Sequence, residues 1–194
     1  PFVVSYRKAA TPPLLPAGTR RGAKKEEAER ISHMTIRTTK PDDLEQILQI
    51  YAYARAQMRQ NGNPSQWGDS RPSVALLQED IQKGQSHVME KDGQICAVFT
   101  FIPGEDPTYR TIEEGRWLDD APYGTIHRIA ANGTAKGVFR QCLAYCMSQI
   151  PNIRIDTHRD NAVMRHLLEK NGFVPCGVIY VEDGSPRIAY QKRR

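Results

Sequence analysis

The sequence of 194 residues predicts an α/β domain of the α+β type, a mixed, mostly antiparallel sheet with flanking helices. Two Asp-Gly pairs, Asp92-Gly93 and Asp183-Gly184, each stand between alternating apolar runs, which is a strong short-range signal for a hairpin. From Tyr123 to about Ser148, a strand pattern is followed by a small-residue loop and an amphipathic helix. Hairpins combined with a strand–helix unit favour a sheet that is antiparallel in most places.

The folded pattern begins at Met34, where alternating and amphipathic segments start. Thr35 to Thr38 predicts a strand, and the apolar positions that follow Pro41 share one face of a helix. Residues 60–72 are rich in Gly and Asn and predict a loop. Ser73 then caps a second helix, because its hydroxyl can accept from a free N–H of the first turn.

The later elements follow from the same two periodicities and from turn residues such as Asn171-Gly172, which end a helix. They are predicted in this order: strands over 86–90 and 94–102, a turn-rich segment over 103–122, a strand over 123–130, a helix over 136–148, a strand over 152–157, a helix over 161–170, and strands over 173–182 and 187–191.

The positive charge of the chain is concentrated at its beginning. The whole chain has 27 Lys and Arg against 22 Asp and Glu, a net charge of +5. Residues 1–33 hold seven basic and three acidic residues, which is +4, so residues 34–194 carry only +1. A nearly neutral domain creates no field for a phosphate backbone, and we expect no nucleic-acid partner.

Residues 1–33 show little apolar periodicity and lack the long apolar stretch of a secretory signal. We expect an extension or remnant ahead of a native start at Met34, with a basic tail that contacts a partner as the alternative. The longest apolar runs are far shorter than the roughly 18 residues of a membrane span, so no membrane partner is expected. Four cysteines without a CxxC pair predict reduced thiols and a cytoplasmic protein.

The small-residue run 132–137 is the most informative segment, because a strand, a loop and a helix start together expose backbone N–H groups at a positive dipole end. This pattern predicts a weak anion site, and an ordinary strand-to-helix turn is the alternative. The chain contains neither GxGxxG nor GxxxxGK[ST], which disfavours dinucleotide-binding folds and phosphate-loop NTPases.

From Met34 to Lys192 the chain resembles the GNAT superfamily of acetyl-CoA-dependent N-acetyltransferases in the order of its elements. The pyrophosphate loop of that family, [RQ]-x-x-G-x-[GA], corresponds to Thr134 to Phe139, where only the central Gly137 matches. A second signature, an Asn that is followed by a closing Gly-Phe at a fixed spacing, is met by Asn161 and Gly172-Phe173.

The resemblance implies that the strands over 123–130 and 152–157 form a splayed central parallel pair, with acetyl-CoA in the cleft between them. The family prefers Gly or Ala at the position of Phe139, so this ring is expected to crowd the phosphates. The resemblance implies these cofactor-binding residues: backbone groups of His127, Arg128 and Ile129 for the pantetheine, the loop residues Thr134, Ala135, Lys136, Gly137, Val138 and Phe139 for the pyrophosphate, and Asn161.

The family's usual chemistry is direct attack of an amine on the thioester. The tyrosine that the family often uses as general acid falls at Leu168, so that role is empty or filled from elsewhere. The positions where relatives carry a base correspond to Tyr123 and Thr125, and His127 is next on the same face. We predict His127 as the base, because an imidazole titrates near neutrality, with Tyr123 as a second catalytic candidate. A core histidine and a packed strand tyrosine are the alternatives.

Acceptor recognition is expected to come from the variable parts, namely the first two helices and the loops over 60–72 and 104–121. Residues 104–121 hold six acidic and two basic residues, a net charge of −4, which favours a cationic amine on a small molecule or peptide. Trp67 and Trp117 are candidate aromatic faces for an ammonium group. A solvated acidic loop with two packed tryptophans is the alternative. Cys142 and Cys146 follow the apolar face of their helix, so no metal is expected.

These observations together predict an N-acetyltransferase domain over residues 34–194 that moves an acetyl group from acetyl-CoA to an amine in a ternary complex. The competing hypothesis is a non-catalytic acyl-CoA-binding or interaction module with a degenerate active site. It is motivated by Leu168 and by the altered loop at Thr134 and Phe139. A homodimer is one option for the assembly.

Overall fold

The chain folds around a seven-stranded sheet in a computed structural model that describes residues 34–194. The elements are β1 (Thr35–Thr38), α1 (Leu44–Gln60), α2 (Val74–Gln82), β2 (Ser86–Lys91), β3 (Gln94–Pro103), β4 (Gly124–Ala131), α3 (Val138–Gln149), β5 (Asn152–Thr157), α4 (Ala162–Lys170), β6 (Val174–Tyr180) and β7 (Pro186–Arg193), with short 3-10 turns at Pro41–Asp43 and Pro107–Tyr109. The strand order is β1-β2-β3-β4-β5-β7-β6, and all neighbours are antiparallel except β4 and β5.

This architecture confirms the predicted mixed, mostly antiparallel sheet with one central parallel pair. The extension predicted for residues 1–33 lies outside the described residues. Within residues 34–194, no helix combines the length and the apolar character that a membrane crossing requires.

The boundaries of several elements differ from the prediction for local reasons. The helix expected from Lys136 begins at Val138, because Gly137 has φ 76° and this left-handed conformation stands outside a right-handed helix. The strand β4 begins at Gly124 rather than at Tyr123. The strand β7 continues to Arg193, because β5 pairs with it along the whole length of β5.

Two hydrophobic layers hold the helices against the sheet. One face is covered by α3 and α4 and the other by α1 and α2. The fully or nearly buried helix side chains are Val138, Phe139, Cys142, Leu143, Cys146, Met147 and Leu168 on the first face, and Ile47, Ile50, Tyr51 and Leu77 on the second. Burial of a large apolar side chain stabilises the fold by about 1.5 to 3 kcal/mol, so both helix pairs are held mainly by these contacts.

The parallel pair at the centre of the sheet is short. β4 and β5 are paired only at Gly124 with Ile153 and at Thr125 with Arg154. Beyond these positions β4 continues along β3, while β5 continues along β7. The two strands therefore splay apart and leave a cleft in the middle of the sheet.

His87 is a buried imidazole on β2. Its Nδ1–H donates to the Gln85 carbonyl at 3.0 Å, and its ring stacks on Phe99 at 5.2 Å between centroids. Burial lowers the pKa of His87, although the hydrogen bond to Gln85 opposes this effect. The unfolded chain therefore binds the proton at a higher pH than the folded chain does. Stability is consequently lost as the pH falls below about 6.5, the ordinary histidine value.

We expect His87→Phe to reduce this loss of stability between pH 7.5 and pH 5.5. One proton bound only by the unfolded chain corresponds to at most about 1.4 kcal/mol per pH unit. Urea unfolding of wild type and variant at both pH values measures the difference. The exposed His166→Phe is the control and should leave the pH dependence unchanged. An equal acid loss in wild type and His87→Phe contradicts the prediction.

Candidate functional site

A bulge interrupts β4 at the edge of the cleft. Arg128 has φ 54°, and the pairing of β4 with β3 shifts between Val98 and Thr100. The Tyr51 hydroxyl donates to the Arg128 carbonyl at 2.9 Å, and the guanidinium donates to both oxygens of Asp80 at 2.9 and 2.8 Å. A non-glycine residue in this conformation costs about 1 to 3 kcal/mol, which these contacts offset.

The bulge limits how Arg128 can serve the predicted cofactor site. Its side chain is bound by Asp80, which is itself only 3% exposed and accepts from the Thr100 hydroxyl at 2.9 Å. Its carbonyl is bound by Tyr51. The contact of Arg128 with pantetheine was predicted through backbone groups, and its carbonyl oxygen keeps one lone pair beyond the bond from Tyr51.

His127 forms a hydrogen-bonded pair with Asp106. Nε2 of His127 lies 2.7 Å from Oδ2 of Asp106, and the histidine side chain retains 17% exposure. The other oxygen of Asp106 accepts from Thr108, at 2.9 Å from its N–H and 2.6 Å from its hydroxyl. Both carboxylate oxygens thus have fixed partners, and the imidazole is held in one orientation.

The protonation of this pair follows from Asp106. Burial raises the pKa of Asp106, but the hydrogen bonds from His127 and Thr108 outweigh it and lower that pKa to about 2. The carboxylate is therefore ionised at neutral pH and can only accept hydrogen bonds. Nε2 of His127 must carry the proton in this contact, so a neutral ring has its free lone pair on Nδ1. This atom is the one that can accept a further proton.

Tyr123, the second predicted catalytic residue, lies behind Asp106. Its hydroxyl accepts from the Asp106 N–H at 2.9 Å, its side chain is buried, and the Arg154 guanidinium lies 3.9 Å from its ring centroid. The geometry gives Tyr123 the role of fixing Asp106. The alternative of a packed strand tyrosine, noted from the sequence, matches this burial.

The loop before α3 has the features of an anion site. Asn132 accepts from the Thr134 N–H at 3.1 Å and from its hydroxyl at 2.7 Å, and Gly133 and Gly137 both have positive φ. Thr134, Lys136 and Gly137 are exposed, Ala135 is half-buried and Val138 is buried. The first N–H groups of α3 have no partner within the helix, so they can bind an anion.

The structure corrects the expectation for Phe139. Its side chain is 6% exposed and packs on Phe173, with 6.1 Å between ring centroids. The ring belongs to the core between α3 and the sheet. A buried ring does not crowd phosphates on the loop.

Asn161 links the start of α4 to the loop between α1 and α2. Its Oδ1 accepts from the Met164 N–H at 3.1 Å, which caps the helix, and its Nδ2 donates to Gln66 at 2.9 Å. Asn63 donates to the same oxygen of Gln66 at 2.8 Å. The loop of residues 61–73 therefore reaches the far side of the cleft. No sequence pattern indicates this role for Gln66.

The position of Leu168 offers no proton donor, because its side chain is fully buried in the core. Leu168 therefore does not take the general-acid role that the resemblance implies for a tyrosine at this position.

The acidic segment 104–121 is partly compensated within the protein. Glu105 pairs with Arg110, and Asp119 pairs with Arg193. One face of Trp117 is covered by Arg154 at 4.0 Å, so this face is not free for the ammonium group that the sequence suggested. Trp67 packs edge-on against Tyr51 at 5.5 Å.

Sequence reasoning did not foresee the contacts that surround His127. Asp106 lies 21 residues away in a turn-rich segment, where the following Pro107 was the only hint that it caps a short turn. Tyr109 lies with its ring centroid 5.9 Å from that of His127, and its hydroxyl donates to Asp156 at 2.7 Å.

A groove of about 630 Å³ lies between α1 and the turn of β2 and β3, and it borders the anion loop at Asn132 and Thr134. Its lining includes neither His127 nor Asp106. We assign the chemistry to the cleft, because the hydrogen-bonded pair of His127 and Asp106 lies at its edge. Residues 34–194 hold no group of three or more His, Cys, Asp or Glu side chains placed to bind a metal, and Cys142 and Cys146 are buried free thiols.

Comparison with known proteins identifies structural relatives of this chain. No protein-family model and no curated protein sequence matches the chain. The structure is similar to a GNAT-family acetyltransferase from Streptococcus agalactiae, with 34% sequence identity, a TM-score of 0.68, and coverage of 83% of this chain and 95% of that one.

Two more distant structures share the fold. A Salmonella typhimurium protein solved with its cofactor acetyl-CoA has 17% identity and a TM-score of 0.54, with 82% and 93% of the two chains covered. A ribosomal-protein-alanine N-acetyltransferase from Brucella melitensis has 19% identity and a TM-score of 0.55, with 82% and 99% covered.

Proposed function

Because the chain belongs to the GNAT family of acetyltransferases, we propose that it transfers the acetyl group of acetyl-CoA to an amine by direct attack in a ternary complex. The observation that carries this function is the His127–Asp106 pair at the edge of the cleft. An oriented imidazole with a free Nδ1 is what removal of a proton from an attacking amine requires.

The cleft has the features that a bound acetyl-CoA needs, and a fold relative holds this molecule. The splay between β4 and β5 gives room for an extended chain, and backbone groups of His127 to Ile129 at the bulge would hold the pantetheine. Backbone N–H groups of Ala135 to Phe139 would hold the pyrophosphate at the start of α3, since the Thr134 N–H already donates to Asn132. Acetyl-CoA supplies the activated acetyl thioester.

His127 and Asp106 carry out the proton transfer of this reaction. The amine attacks as the neutral base, and Nδ1 of His127 accepts its proton as the new carbon–nitrogen bond forms and the carbon–sulfur bond breaks. The Asp106 carboxylate stabilises the resulting imidazolium at 2.7 Å and keeps the ring in place. Tyr123 and Thr108 fix Asp106 in turn.

The leaving group needs little help from the protein. A simple thiol has a pKa near 8.5, so a thiolate leaves readily close to neutral pH. Direct transfer therefore tolerates Leu168 in place of the tyrosine, which favours the enzyme over the non-catalytic module.

The experiment is a thermal unfolding scan with and without acetyl-CoA, followed by a thiol-release assay with a panel of amines. A ligand at 100 times its Kd adds about 2.7 kcal/mol of stability. At roughly 2 to 4 °C per kcal/mol for a chain of this size, the expected rise in Tm is several degrees. We expect CoA release that depends on the amine. A rise in Tm without release from any amine would favour the module, and no rise at millimolar acetyl-CoA contradicts the function.

A further inference from the structure

Arg187 is a buried cation that borders the cleft at the beginning of β7. Thr157, at the end of β5, pairs with Ile188, so Arg187 lies next to the end of β5, beyond the last pair that β5 forms with β4 at Arg154. Side chains alternate along a strand, so Arg187 shares a sheet face with Ala189. Ala189 packs in one cluster with Tyr109 on that face.

Tyr109 connects Arg187 to the proposed base. Its hydroxyl donates to Oδ1 of Asp156 at 2.7 Å, and Oδ2 of Asp156 lies 3.9 Å from Nε of Arg187. Its ring centroid is 5.9 Å from that of His127. Arg187 and His127 therefore lie on the same side of the sheet, with the Tyr109 side chain and the Asp156 carboxylate between them.

The guanidinium of Arg187 has unused hydrogen-bonding capacity. A guanidinium has five N–H donors in a planar fork, and Arg187 is only 7% exposed. Among the described residues, its one hydrogen bond runs from Nη1 to the Pro186 carbonyl at 3.1 Å. The contact with Asp156 at 3.9 Å is too long for a hydrogen bond.

A buried guanidinium with an open fork matches a planar oxyanion. Two parallel N–H···O bonds to a carboxylate use this geometry best, and they are stronger away from water. The charge of Arg187 also reaches His158 at the end of β5, where burial is the main reason for a lowered pKa and Arg187 adds to it.

We propose that Arg187 binds a carboxylate of the acceptor, so that the substrate is a small amine that also carries a carboxylate, such as an amino acid. This inference rests on the proposed function, because it assigns the acceptor of the same reaction. It also replaces the cationic acceptor expected from the acidic segment 104–121, whose Glu105 and Asp119 are paired within the protein. The amine reaches His127 while the carboxylate lies on Arg187.

The test compares amines that differ only in the carboxylate, such as phenylalanine with phenethylamine and alanine with ethylamine, by CoA release. We expect wild type to favour the carboxylate-bearing amine by about 10- to 100-fold in kcat/KM, the range for a charge-assisted bidentate contact. Arg187→Met should bring the preference to within about threefold of parity, because it lowers kcat/KM for phenylalanine. Arg187→Lys should retain part of the preference.

Arg193→Met is the matched control, because Arg193 is on the same strand and face but is exposed and paired with Asp119. It should keep the full preference. Wild-type release of CoA without a carboxylate preference overturns this inference and leaves the proposed function standing, whereas absence of release from all amines counts against the function itself. A stronger preference for 2-aminoethyl phosphate than for any carboxylate would also overturn the assignment. If Arg187→Met does not fold, the wild-type panel decides alone.

Discussion

Replacing His127 with alanine is expected to lower turnover by about 10²- to 10⁴-fold, the range for loss of a general base. The reason is that Nδ1 of His127 is a proton acceptor that the structure orients beside the cleft through an ionised partner. Acetyl-CoA affinity should change little, because backbone groups and the start of α3 are proposed to hold it. Thiol release measures turnover, and the rise in Tm with acetyl-CoA measures binding.

The exposed His166→Ala is the control for loss of an imidazole and should retain activity. Asp106→Asn should slow the same step, because a neutral amide stabilises an imidazolium poorly. The double variant should then be about as slow as His127→Ala alone, since the two residues act as a unit. Full turnover of His127→Ala at neutral pH would remove His127 from the mechanism.

Gly115→Ala is expected to destabilise the fold by about 1 to 3 kcal/mol, the usual range for overpacking. A methyl group at Gly115 would lie 2.0 Å from the Cys176 carbonyl oxygen on β6, and that backbone atom can give way only if the strand moves. The contact secures a short bridge between Glu113 and Val178, with two N–H···O bonds of 2.8 Å. Loss of this bridge loosens the segment that carries Asp106.

Thermal unfolding and thiol release measure the two effects, a Tm lower by up to about 12 °C and a reduced turnover. Gly62→Ala is a useful comparison, because no atom lies within 4 Å of its added methyl group and only its φ of 81° is unfavourable. That variant should lose about 1 to 2 kcal/mol and keep its turnover. Equal stability of wild type and Gly115→Ala would show that β6 does not need this close approach.

The fold was predictable where the signals are local. The turn at Asp92-Gly93 has positive φ at both residues, as the sequence indicated. The buried residues of the helices recur with the period that the sequence showed. Boundaries failed where one backbone angle decides them, as at Gly137. Strand order could not come from periodicity, and the family resemblance was needed to place β4 beside β5.

The site was predictable only in part. His127 follows from its register on the central strand, but its partner Asp106 depends on how a turn-rich segment docks on the sheet. Arg187 was treated as one member of a terminal strand, since no pattern distinguishes a buried, open guanidinium from an exposed one. Phe139 was misjudged because a motif position does not reveal on which side of the helix a ring packs.

The bulge at Arg128 makes the backbone of β4 dependent on the helices α1 and α2. Its unusual backbone is held by Tyr51 of α1 and Asp80 of α2. These are the two helices that the sequence analysis expects to recognise the acceptor. Those helices would be the natural units to exchange when new acceptor specificity is engineered. A graft of α1 and α2 that omits either side chain would release the backbone that is proposed to hold acetyl-CoA. Chimeras should therefore transplant the loops and keep these two residues.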